Sequence, residues 1–563
     1  MSPGRRSAGR RVALAIALGL LWACTSVRSK VHHALEGLPG AKGPSVCVLF
    51  FDGLSQQAFQ KLASDGTIPT LQREVLQRAL VVDTAVTGVP SETYPNVASM
   101  ITGLLPGHHG IPANVWLDRR LHRRESHTNI FRHFSASEFL IPEAKTLYER
   151  LPGDTVAITT PLARGAGIYR RNIVSVIASY ARNDWPFLDR KTLDDIGDAY
   201  AGGARLGKVP TLVWGHLLGP DEVAHFYGPD STEWRNEFAS IDRAFARLVR
   251  RLTRMRVYDR ILWVLIGDHG NHPYTTYVDS AELVHRALYS HPTTSDCSKG
   301  NCYLVTRRPD KHFDVGDAEI AVGAYRGVMV WLPSDRPPAD LPAALRTRKK
   351  PRKQAHTGLA AAPRSDFAAA LAHMKEVQLA VTRGPDPGSV LIYGPAGRSA
   401  VTSEEGPEHE VLYAYHVLEG EDPLGYEALP GLRARAGQGL PAEEWLELTA
   451  ESEYPDLVVQ LSEFFDSPRA PDVFLSPREG YGFRDGKAAG HGSFSRLETV
   501  VPLVFAGPGV TPGHRRVARV VDLTPTLLRY LGVPFDASAM DGDDLGIATV
   551  PPVLPSAPPT PDE

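Results

Sequence analysis

The stretch VCVLFFDG at residues 46–53 is a continuous apolar run that ends in an acidic residue and a glycine. The stretch ILWVLIGDHG at residues 261–270 has the same form. Apolar runs without polar alternation are typical of strands that are buried on both faces of a parallel sheet. Because ligands gather beyond the carboxyl ends of such strands, Asp52, Asp268 and His269 are predicted to face a functional site.

The order of apolar runs along the chain predicts its organisation. Strand-like runs alternate with helical patterns over residues 45–270, which predicts a doubly wound, mostly parallel α/β sheet flanked by helices. Residues 271–480 are predicted to form a mixed α/β insertion on the substrate side, with strands at 327–332 and 389–393. Residues 481–548 are predicted to complete the core.

The first residues predict export. Residues 1–23 combine several arginines with an apolar run too short to span a membrane, which is typical of a secretory signal. The sequence LWAC at residues 21–24 resembles a bacterial lipobox, and the resemblance implies that Cys24 is lipidated. Because Thr25 rather than aspartate follows, the same resemblance implies an outer-membrane lipoprotein facing the periplasm or cell surface. An ordinary cleaved signal and an uncleaved anchor are the alternatives.

Composition fits an exported globular enzyme. The net charge is −3 and hydrophobic residues make up 43% of the chain, so bulk charge does not indicate nucleic-acid binding.

Residues 24–44 are predicted to be a tether, and the Pro-rich residues 549–563 a disordered tail. Cys297 and Cys302 are close enough in sequence for a short disulfide loop in an oxidising compartment. The basic run at 347–354 is interpreted as a solvated loop rather than an anion-binding surface.

Two further segments carry side chains of the metal-ligand type, DEVAH at residues 221–225 and GHGS at residues 490–493. Asp221 and His225 are four residues apart, so both face one side if that segment is helical. With His491 and the acidic strand ends, they could hold two divalent metals. Aspartate and histidine suit zinc, and manganese and iron remain alternatives.

A reactive hydroxyl is predicted in the stretch PSETYPN at residues 90–96. Pro95 suits the first turn of a helix and Gly103 suits its end, which places Thr93 at a helix N-terminus. Free N–H groups and the helix dipole favour negative charge at that position. Ser91 is the alternative nucleophile, and we expect it instead to cap the helix entry.

Taken in chain order, the candidate residues resemble the alkaline phosphatase superfamily; they are Asp52, Thr93, Asp221 with His225, Asp268 with His269, and His491. The stretch from Thr93 through Gly103 to Asn114 is similar to the nucleotide pyrophosphatase/phosphodiesterase branch. The resemblance covers about residues 45–270 and 455–548. It implies an alkaline phosphatase-like fold and a metal-dependent phosphoester hydrolase that acts on a small-molecule phosphoester.

The resemblance also implies a role for each residue. One metal would be held by Asp52, Asp268 and His269, and would also bind the oxygen of Thr93, the nucleophile. The other would be held by Asp221, His225 and His491. Asn114 would donate a hydrogen bond to a non-bridging phosphate oxygen, where charge grows in the transition state. The cofactors are therefore expected to be two divalent ions, zinc or alternatively manganese.

The motifs also bear on several other functions. A sulfatase needs a Cys or Ser motif with an arginine that is missing after Thr93, and a serine hydrolase needs a Gly-x-Ser-x-Gly elbow that is also missing. A phosphomonoesterase, a phosphonate hydrolase, a phosphoethanolamine-type transferase and a non-catalytic surface lipoprotein remain as alternatives. No arginine is placed in sequence to neutralise a monoester dianion, which favours diesters or pyrophosphates. His108, His109 and His272 are assigned no metal.

Overall fold

The computed structural model describes most of the chain: residues 44–119, 123–128, 130–151, 154–205, 208–288, 319–323, 325–332, 364–407, 410–435 and 437–548. The predicted signal, lipidation, tether, disulfide, basic-loop and tail features lie outside the described residues, apart from residue 44 of the tether, and stay predictions: 1–23, Cys24, 24–43, Cys297 with Cys302, 347–354 and 549–563. In the described ranges, no helix is both long enough and apolar enough to cross a membrane.

The strands, in chain order, are β1 Ser45–Phe51, β2 Leu80–Val86, β3 Val115–Asp118, β4 Arg123–Ser126, β5 Thr155–Ile158, β6 Ile168–Arg170, β7 Leu212–Leu217, β8 Ile261–Gly267, β9 His272–Tyr277, β10 Glu319–Gly323, β11 Gly327–Trp331, β12 Val377–Arg383, β13 Val390–Tyr393, β14 Gly397–Glu405, β15 Val411–Gly420, β16 Leu440–Pro441, β17 Val473–Pro477, β18 Gly480–Gly482, β19 Ala489–Gly490, β20 Val500–Val501, β21 Leu503–Ala506 and β22 Gly513–Arg519.

The helices are α1 Gln56–Ser64, α2 Pro69–Glu74, α3 Thr93–Thr102, α4 Pro106–His109, α5 Ile130–His133, α6 Leu147–Arg150, α7 Ile173–Arg182, α8 Trp185–Arg205, α9 Gly219–Tyr227, α10 Thr232–Arg254, α11 Ser280–Leu288, α12 Arg364–Ala372, α13 Pro430–Arg433, α14 Ala442–Thr449, α15 Leu457–Asp466, α16 Arg496–Thr499 and α17 Leu523–Tyr530.

The core sheet has the order β20-β2-β21-β8-β1-β7-β5-β6, and β22 pairs with β2. Strands β8, β1, β7, β5 and β6 are parallel neighbours, whereas β21 runs antiparallel to β8 and β2 antiparallel to β21. The prediction of a mostly parallel α/β sheet flanked by helices is confirmed. The antiparallel pairs lie on the β8 side of the sheet, whereas the pairs that β1, β7, β5 and β6 make are parallel.

Strand β1 shows why its sequence lacks polar alternation. The side chains of Val46, Val48 and Phe50 enter one apolar core, and those of Cys47 and Leu49 enter another on the opposite face. The second core also contains apolar residues of α8 and α10, so helices cover that face. Two-sided burial thus demands an apolar residue at every position of the strand.

A second sheet is antiparallel, with the order β10-β11-β17-β12-β13-β14-β15-β16. The strands predicted at 327–332 and 389–393 are present as β11 and β13. Apolar side chains of α11 and α12 pack against β11, β12 and β17. This sheet takes its strands from residues 319–477, inside the segment assigned to the insertion; the domain boundaries themselves stay predictions.

Candidate active site

The candidate residues converge at one edge of the core sheet because three adjacent strands end there. Asp52 follows β1, and Asp268 follows its parallel neighbour β8. Strand β7, the other parallel neighbour of β1, leads into α9, which carries Asp221 and His225. The expected helical spacing of these two residues is therefore observed. His491 comes from the loop after β19.

We define the Asp268 group as Asp52, Asp268 and His269, whose ligand atoms all lie within 4.8 Å of one another. Nε2 of His269 lies 3.4 Å from Oδ1 of Asp52 and 3.2 Å from Oδ2 of Asp268. The same nitrogen is 3.2 Å from Oγ1 of Thr93. The reactive candidate thus adjoins this group directly.

We define the Asp221 group as Asp221, His225 and His491, which meet the same 4.8 Å criterion. Oδ2 of Asp221 lies 3.1 Å from Nε2 of His225, and Oδ1 lies 3.6 Å from Nε2 of His491. The rings of His491 and His269 are stacked with their centres 3.4 Å apart, so the Asp221 group and the Asp268 group are in direct contact.

Backbone carbonyl groups set the orientation of two imidazoles in the Asp221 group. Nδ1 of His225 donates to the carbonyl of Ala489 at 3.0 Å, and Nδ1 of His491 donates to the carbonyl of Ser91 at 2.7 Å. These contacts assign the proton to Nδ1 and leave Nε2 as a lone-pair donor facing Asp221. Fixing an imidazole through its second nitrogen is how proteins usually orient a metal ligand.

The buried carboxylates fit a cation. Oδ1 of Asp52 and Oδ2 of Asp268 are fully buried and accept no hydrogen bond from the part of the chain that the structure describes. An unsatisfied buried carboxylate oxygen is costly, and a bound cation removes that cost. The oxygen and nitrogen donors of both groups match the preferences of zinc and of manganese.

The electrostatics of the two groups follow from carboxylates crowded together out of water. Burial, together with the charge of Asp52, raises the pKa of Asp268 well above its usual range. Burial also acts to raise the pKa of Asp221, but His225, His491 and His269 outweigh burial and hold it well below normal. Burial and the positive charge of His269 lower the pKa of His491 to about 3, so this ring is neutral, as a metal ligand must be.

Thr93 is the first residue of helix α3, and the helix ends at Thr102 before Gly103, whose φ is 77°. Both predicted ends are confirmed. The row of free N–H groups expected at its start is partly used up, because the N–H of Tyr94 donates to Oδ1 of Asn114 at 3.0 Å and Pro95 has none. The helix dipole remains available to favour negative charge on the Thr93 oxygen.

The expected capping role of Ser91 is wrong. The residue before the helix is Glu92, and it makes no side-chain cap. The hydroxyl of Ser91 instead donates to the carbonyl of Ser493 at 2.9 Å and accepts from the N–H of Gly492 at 3.0 Å. Ser91 therefore ties the segment of Thr93 to the segment of His491, which excludes it as the free nucleophile.

Asn114 lies beside the start of α3, where its amide oxygen is occupied by the N–H of Tyr94. Its own N–H donates to a carboxylate oxygen of Glu92, a fully buried residue. Burial raises the pKa of Glu92 to about 7, although the Asn114 N–H opposes this. With its oxygen engaged, Asn114 has the amide N–H₂ left to offer, which is the donor that its predicted role requires.

Three supporting contacts were not predicted from the sequence. Nε2 of His216 lies 2.8 Å from Oδ2 of Asp52, and Nδ2 of Asn271 donates to Oδ1 of Asp221 at 2.8 Å. The third is the buried ion pair of Arg326 and Glu498. His216 is the last residue but one of β7, and Asn271 directly follows the DHG sequence at 268–270, so their positions close to a strand end and to a ligand motif could have indicated them.

The Arg326–Glu498 ion pair connects the second sheet to the site. Nε of Arg326 donates to Oε1 of Glu498 at 2.7 Å, and its backbone N–H donates to the carbonyl of His491 at 2.9 Å. Oε2 of Glu498 accepts the N–H of Ser493 at 2.7 Å. His272 lies beside this pair, with Nδ1 3.7 Å from Oε1 of Glu498, and belongs to neither ligand group.

We predict that Gly53→Ala disturbs the site. The φ of Gly53 is +68°, and a Cβ there would lie 2.5 Å from Nδ2 of Asn271 and 2.6 Å from Oδ1 of Asp221. The methyl group would push both side chains away, and the backbone conformation adds about 1–2 kcal/mol of strain. We expect lower metal content by elemental analysis and a lower melting temperature.

Gly66→Ala is the matched control for Gly53→Ala. Its φ is +77°, but nothing lies within 4 Å of a Cβ at that position. It should lose stability through backbone strain and retain its metal content. Equal metal content in both variants would show that the close approach at Gly53 is unimportant.

His108 and His109 have structural contacts. Nε2 of His108 lies 3.0 Å from Oε2 of Glu463 and Nδ1 lies 2.8 Å from Oδ2 of Asp541, so both nitrogens bridge carboxylates of distant segments. His108 also belongs, with Glu463 and Asp466, to a partly exposed cluster of metal-ligand type. His109 is buried, with Nε2 3.0 Å from the carbonyl of Pro95.

The His108 bridge predicts a pH dependence of stability. Hydrogen bonds to Asp541 and Glu463 raise the pKa of His108 from 6.5 to about 10. A raised pKa means that the bridge stabilises fully below pH 6.5, and that this contribution fades as the pH rises through about 10. His108→Gln should therefore lower the free energy of unfolding at pH 6 and have less effect at pH 10.5. A deficit independent of pH, measured by denaturant titration, would contradict the ionic role.

The chain is similar to several known proteins. The sequence profile of the family described as type I phosphodiesterase / nucleotide pyrophosphatase matches residues 46–322. A Caenorhabditis elegans relative, ectonucleotide pyrophosphatase/phosphodiesterase C27A7.3, is 23% identical over 251 residues, which are 44% of this chain and 31% of that protein. Human ectonucleotide pyrophosphatase/phosphodiesterase family member 5 is 25% identical over 187 residues, 32% of this chain and 36% of the relative.

A bovine relative, bis(5'-adenosyl)-triphosphatase ENPP4, is 25% identical over 237 residues, 41% of this chain and 48% of the relative. The chain thus spans less than half the length of these three curated relatives. The solved structure of human ectonucleotide pyrophosphatase/phosphodiesterase 5 superposes with a TM-score of 0.51 at 14% identity, covering 89% of this chain and 97% of that one. That likeness shows the fold. The chain belongs to the nucleotide pyrophosphatase/phosphodiesterase-like branch of the alkaline phosphatase superfamily.

Proposed function

We propose that this protein is a metal-dependent phosphoester hydrolase of the phosphodiesterase/nucleotide pyrophosphatase type. Thr93 is the nucleophile, and the Asp268 and Asp221 groups each hold one divalent ion, zinc or alternatively manganese. The observation that carries the proposal is the convergence of the Asp268 and Asp221 groups near Thr93. Oγ1 of Thr93 lies 3.2 Å from Nε2 of His269, which belongs to the Asp268 group. Family membership supports the same chemistry.

Each part of the site has its own role in the proposed reaction. Two bound ions would neutralise the anionic phosphoryl group, lower the pKa of the hydroxyl and assist the leaving oxygen. The Asp268 group would hold the ion nearer Thr93. Thr93 presents its oxygen at the start of α3, where the helix dipole favours the alkoxide. Asn114 offers its amide N–H₂ to a non-bridging oxygen, and a fixed donor of that kind contributes about 3 kcal/mol.

The proposed reaction proceeds in two displacements at phosphorus. In the first, Oγ of Thr93 loses its proton and forms the new P–O bond, while the bond to the leaving alcohol or phosphate breaks and that group takes up a proton. In the second, water supplies the attacking oxygen, the bond to Thr93 breaks, and the hydroxyl is restored. The net reaction consumes one water molecule, and no oxidant or reductant is needed.

The charge of the site bears on the substrate class. A monoester dianion calls for an additional cation over the phosphate. Arg326 cannot supply it, because its guanidinium is held by Glu498 and by the carbonyl of Tyr481 at 2.7 Å. We therefore propose diesters or pyrophosphates as preferred substrates. The bovine relative named as a bis(5'-adenosyl)-triphosphatase is consistent with a pyrophosphate bond.

The full-length protein, loaded with zinc or manganese, should be tested against bis(p-nitrophenyl) phosphate, p-nitrophenyl phosphate, a p-nitrophenyl phosphonate ester, p-nitrophenyl sulfate and diadenosine triphosphate. We expect the diester and the pyrophosphate to be hydrolysed with the highest kcat/KM. Preference for the monoester or the phosphonate would replace the substrate class with the alternatives within the superfamily. Absence of turnover on every ester by metal-loaded protein would favour a transferase or a non-catalytic scaffold.

A further inference from the structure

We infer that Asp189 and Glu237 form a buried acid–carboxylate pair that positions Asp221 and His225 by holding the first turn of helix α9. The inference rests on the proposed metal-binding role of the Asp221 group and adds two residues to it. Asp189 belongs to α8 and Glu237 to α10, so neither is near the ligands in sequence. Both side chains are buried, at 0% and 1% exposure.

The first turn of α9 depends on Asp189 for its hydrogen bonds. The first N–H groups of any helix lack partners within the helix. Leu218, the residue before α9, makes no side-chain cap, and Pro220 has no N–H. Asp189, from helix α8, caps the start of α9 instead. Its Oδ1 accepts from the N–H of Leu218 at 3.1 Å, and its Oδ2 accepts from the N–H of Gly219 at 3.0 Å.

Glu237 completes the arrangement as the proton donor. Within the described ranges, neither of its oxygens accepts a hydrogen bond from an N–H or O–H group. A Cβ on Gly219 would lie 2.6 Å from Oδ2 of Asp189 and 2.8 Å from Oε1 of Glu237, so the two carboxyl groups converge on this glycine. Two neighbouring carboxyl groups in a buried site cannot both be ionised. The helix N-terminus favours the charge on Asp189, which leaves the proton on Glu237.

The pKa directions agree with this assignment. Burial raises the pKa of Glu237 well above its usual range, and the charge of Asp189 adds to the effect. Burial raises the pKa of Asp189 to about 7, opposed by the N–H groups of Gly219 and Leu218. Glu237 is therefore the acid of the pair, and it binds the carboxylate that holds α9. Asp221 stands two residues after Gly219, so a shift of this first turn moves a ligand directly.

The chain contains a matched arrangement that reaches no candidate ligand. Asp242, also on α10, accepts from the N–H groups of Thr70 and Leu71 at 2.9 Å each. These two residues lie in the first turn of α2, which carries none of the proposed ligand residues. Asp189→Asn and Asp242→Asn therefore remove similar caps of two different helices.

The test compares zinc affinity, by competition with a chelator, and amide hydrogen exchange over residues 218–227 in the full-length protein. Asp189→Asn should weaken binding of one zinc ion at least about tenfold and speed exchange in α9. Asp242→Asn should lose comparable thermal stability while zinc affinity stays within about twofold of wild type. Glu237→Gln, which keeps a donor toward Asp189, should retain wild-type affinity.

Unchanged zinc affinity and unchanged α9 exchange in Asp189→Asn would overturn the inference and reduce Asp189 to an ordinary structural residue. If that variant does not fold, Gly219→Ala provides the second test, because its methyl group would displace the same pair and should weaken the same ion. Wild-type protein that binds no second zinc ion would contradict the proposed function. The exchange comparison needs no metal, so it decides the role of Asp189 in that case too.

Discussion

Replacing Thr93 with alanine is expected to lower kcat/KM at least about a thousandfold, a loss of about 4 kcal/mol of transition-state stabilisation. The reason is that, in the proposed reaction, Oγ1 is the atom that forms the new bond to phosphorus. Ser91, the nearest alternative in sequence, has its hydroxyl engaged by Ser493 and Gly492. Metal content should persist, because Thr93 would contribute only one oxygen beside the three residues of the Asp268 group.

Thr102→Ala is the matched control, since Thr102 is a buried threonine of the same helix. Its hydroxyl donates to the carbonyl of Ala98 at 2.7 Å, within α3 itself. The variant should lose some stability and keep activity within about threefold of wild type. Turnover by Thr93→Ala within about tenfold of wild type, in metal-loaded protein, would show that Thr93 is not the nucleophile.

The second large effect concerns the metals, because each ligand group should be separable by mutation. His491→Ala should remove mainly the ion of the Asp221 group, and Asp52→Ala mainly that of the Asp268 group. Each change deletes one of the three proposed ligands of a buried group. We expect about one zinc ion per chain in each variant, two in wild type, and activity at least about a hundredfold lower in both variants.

Elemental analysis and chelator titration measure this separation. Wild-type activity should disappear on chelation and return with zinc or manganese. His272→Ala provides a control, because this histidine lies beside Glu498 and outside both groups. Fully active wild-type protein with one ion or none would contradict the two-metal proposal, and loss of both ions from either variant would show that the groups are not independent.

The candidate ligand residues could be predicted from the sequence because a parallel sheet brings its strand ends together. The runs that lead to Asp52 and Asp268 are the parallel neighbours β1 and β8, as their apolar composition predicts. Helix α3 also has its predicted ends, since proline and glycine mark a helix start and stop locally. Placing ligands into two groups required the family resemblance, because spacing alone does not pair His491 with Asp221.

The supporting contacts could not be predicted from the sequence, because they join segments far apart in the chain. Glu498 meets Arg326 across 172 residues, and Asp189 meets Gly219 across 30. No local pattern in the sequence marks such partners. The error on Ser91 has the same origin: a serine two residues before a threonine suggests a cap, whereas its true partners belong to the loop after β19.

The Arg326–Glu498 ion pair limits which segments of this protein can be exchanged independently. Both side chains are almost fully buried, at 2% and 0% exposure, and they come from opposite sides of the boundary between the two sheets. Excising the second sheet, or exchanging it for that of a relative without the arginine, would leave the carboxylate of Glu498 without its partner in the protein interior. Such an unpaired buried charge typically costs about 3–5 kcal/mol. Chimaeras that trade substrate-side segments between relatives should therefore carry residues 326 and 498 from the same parent.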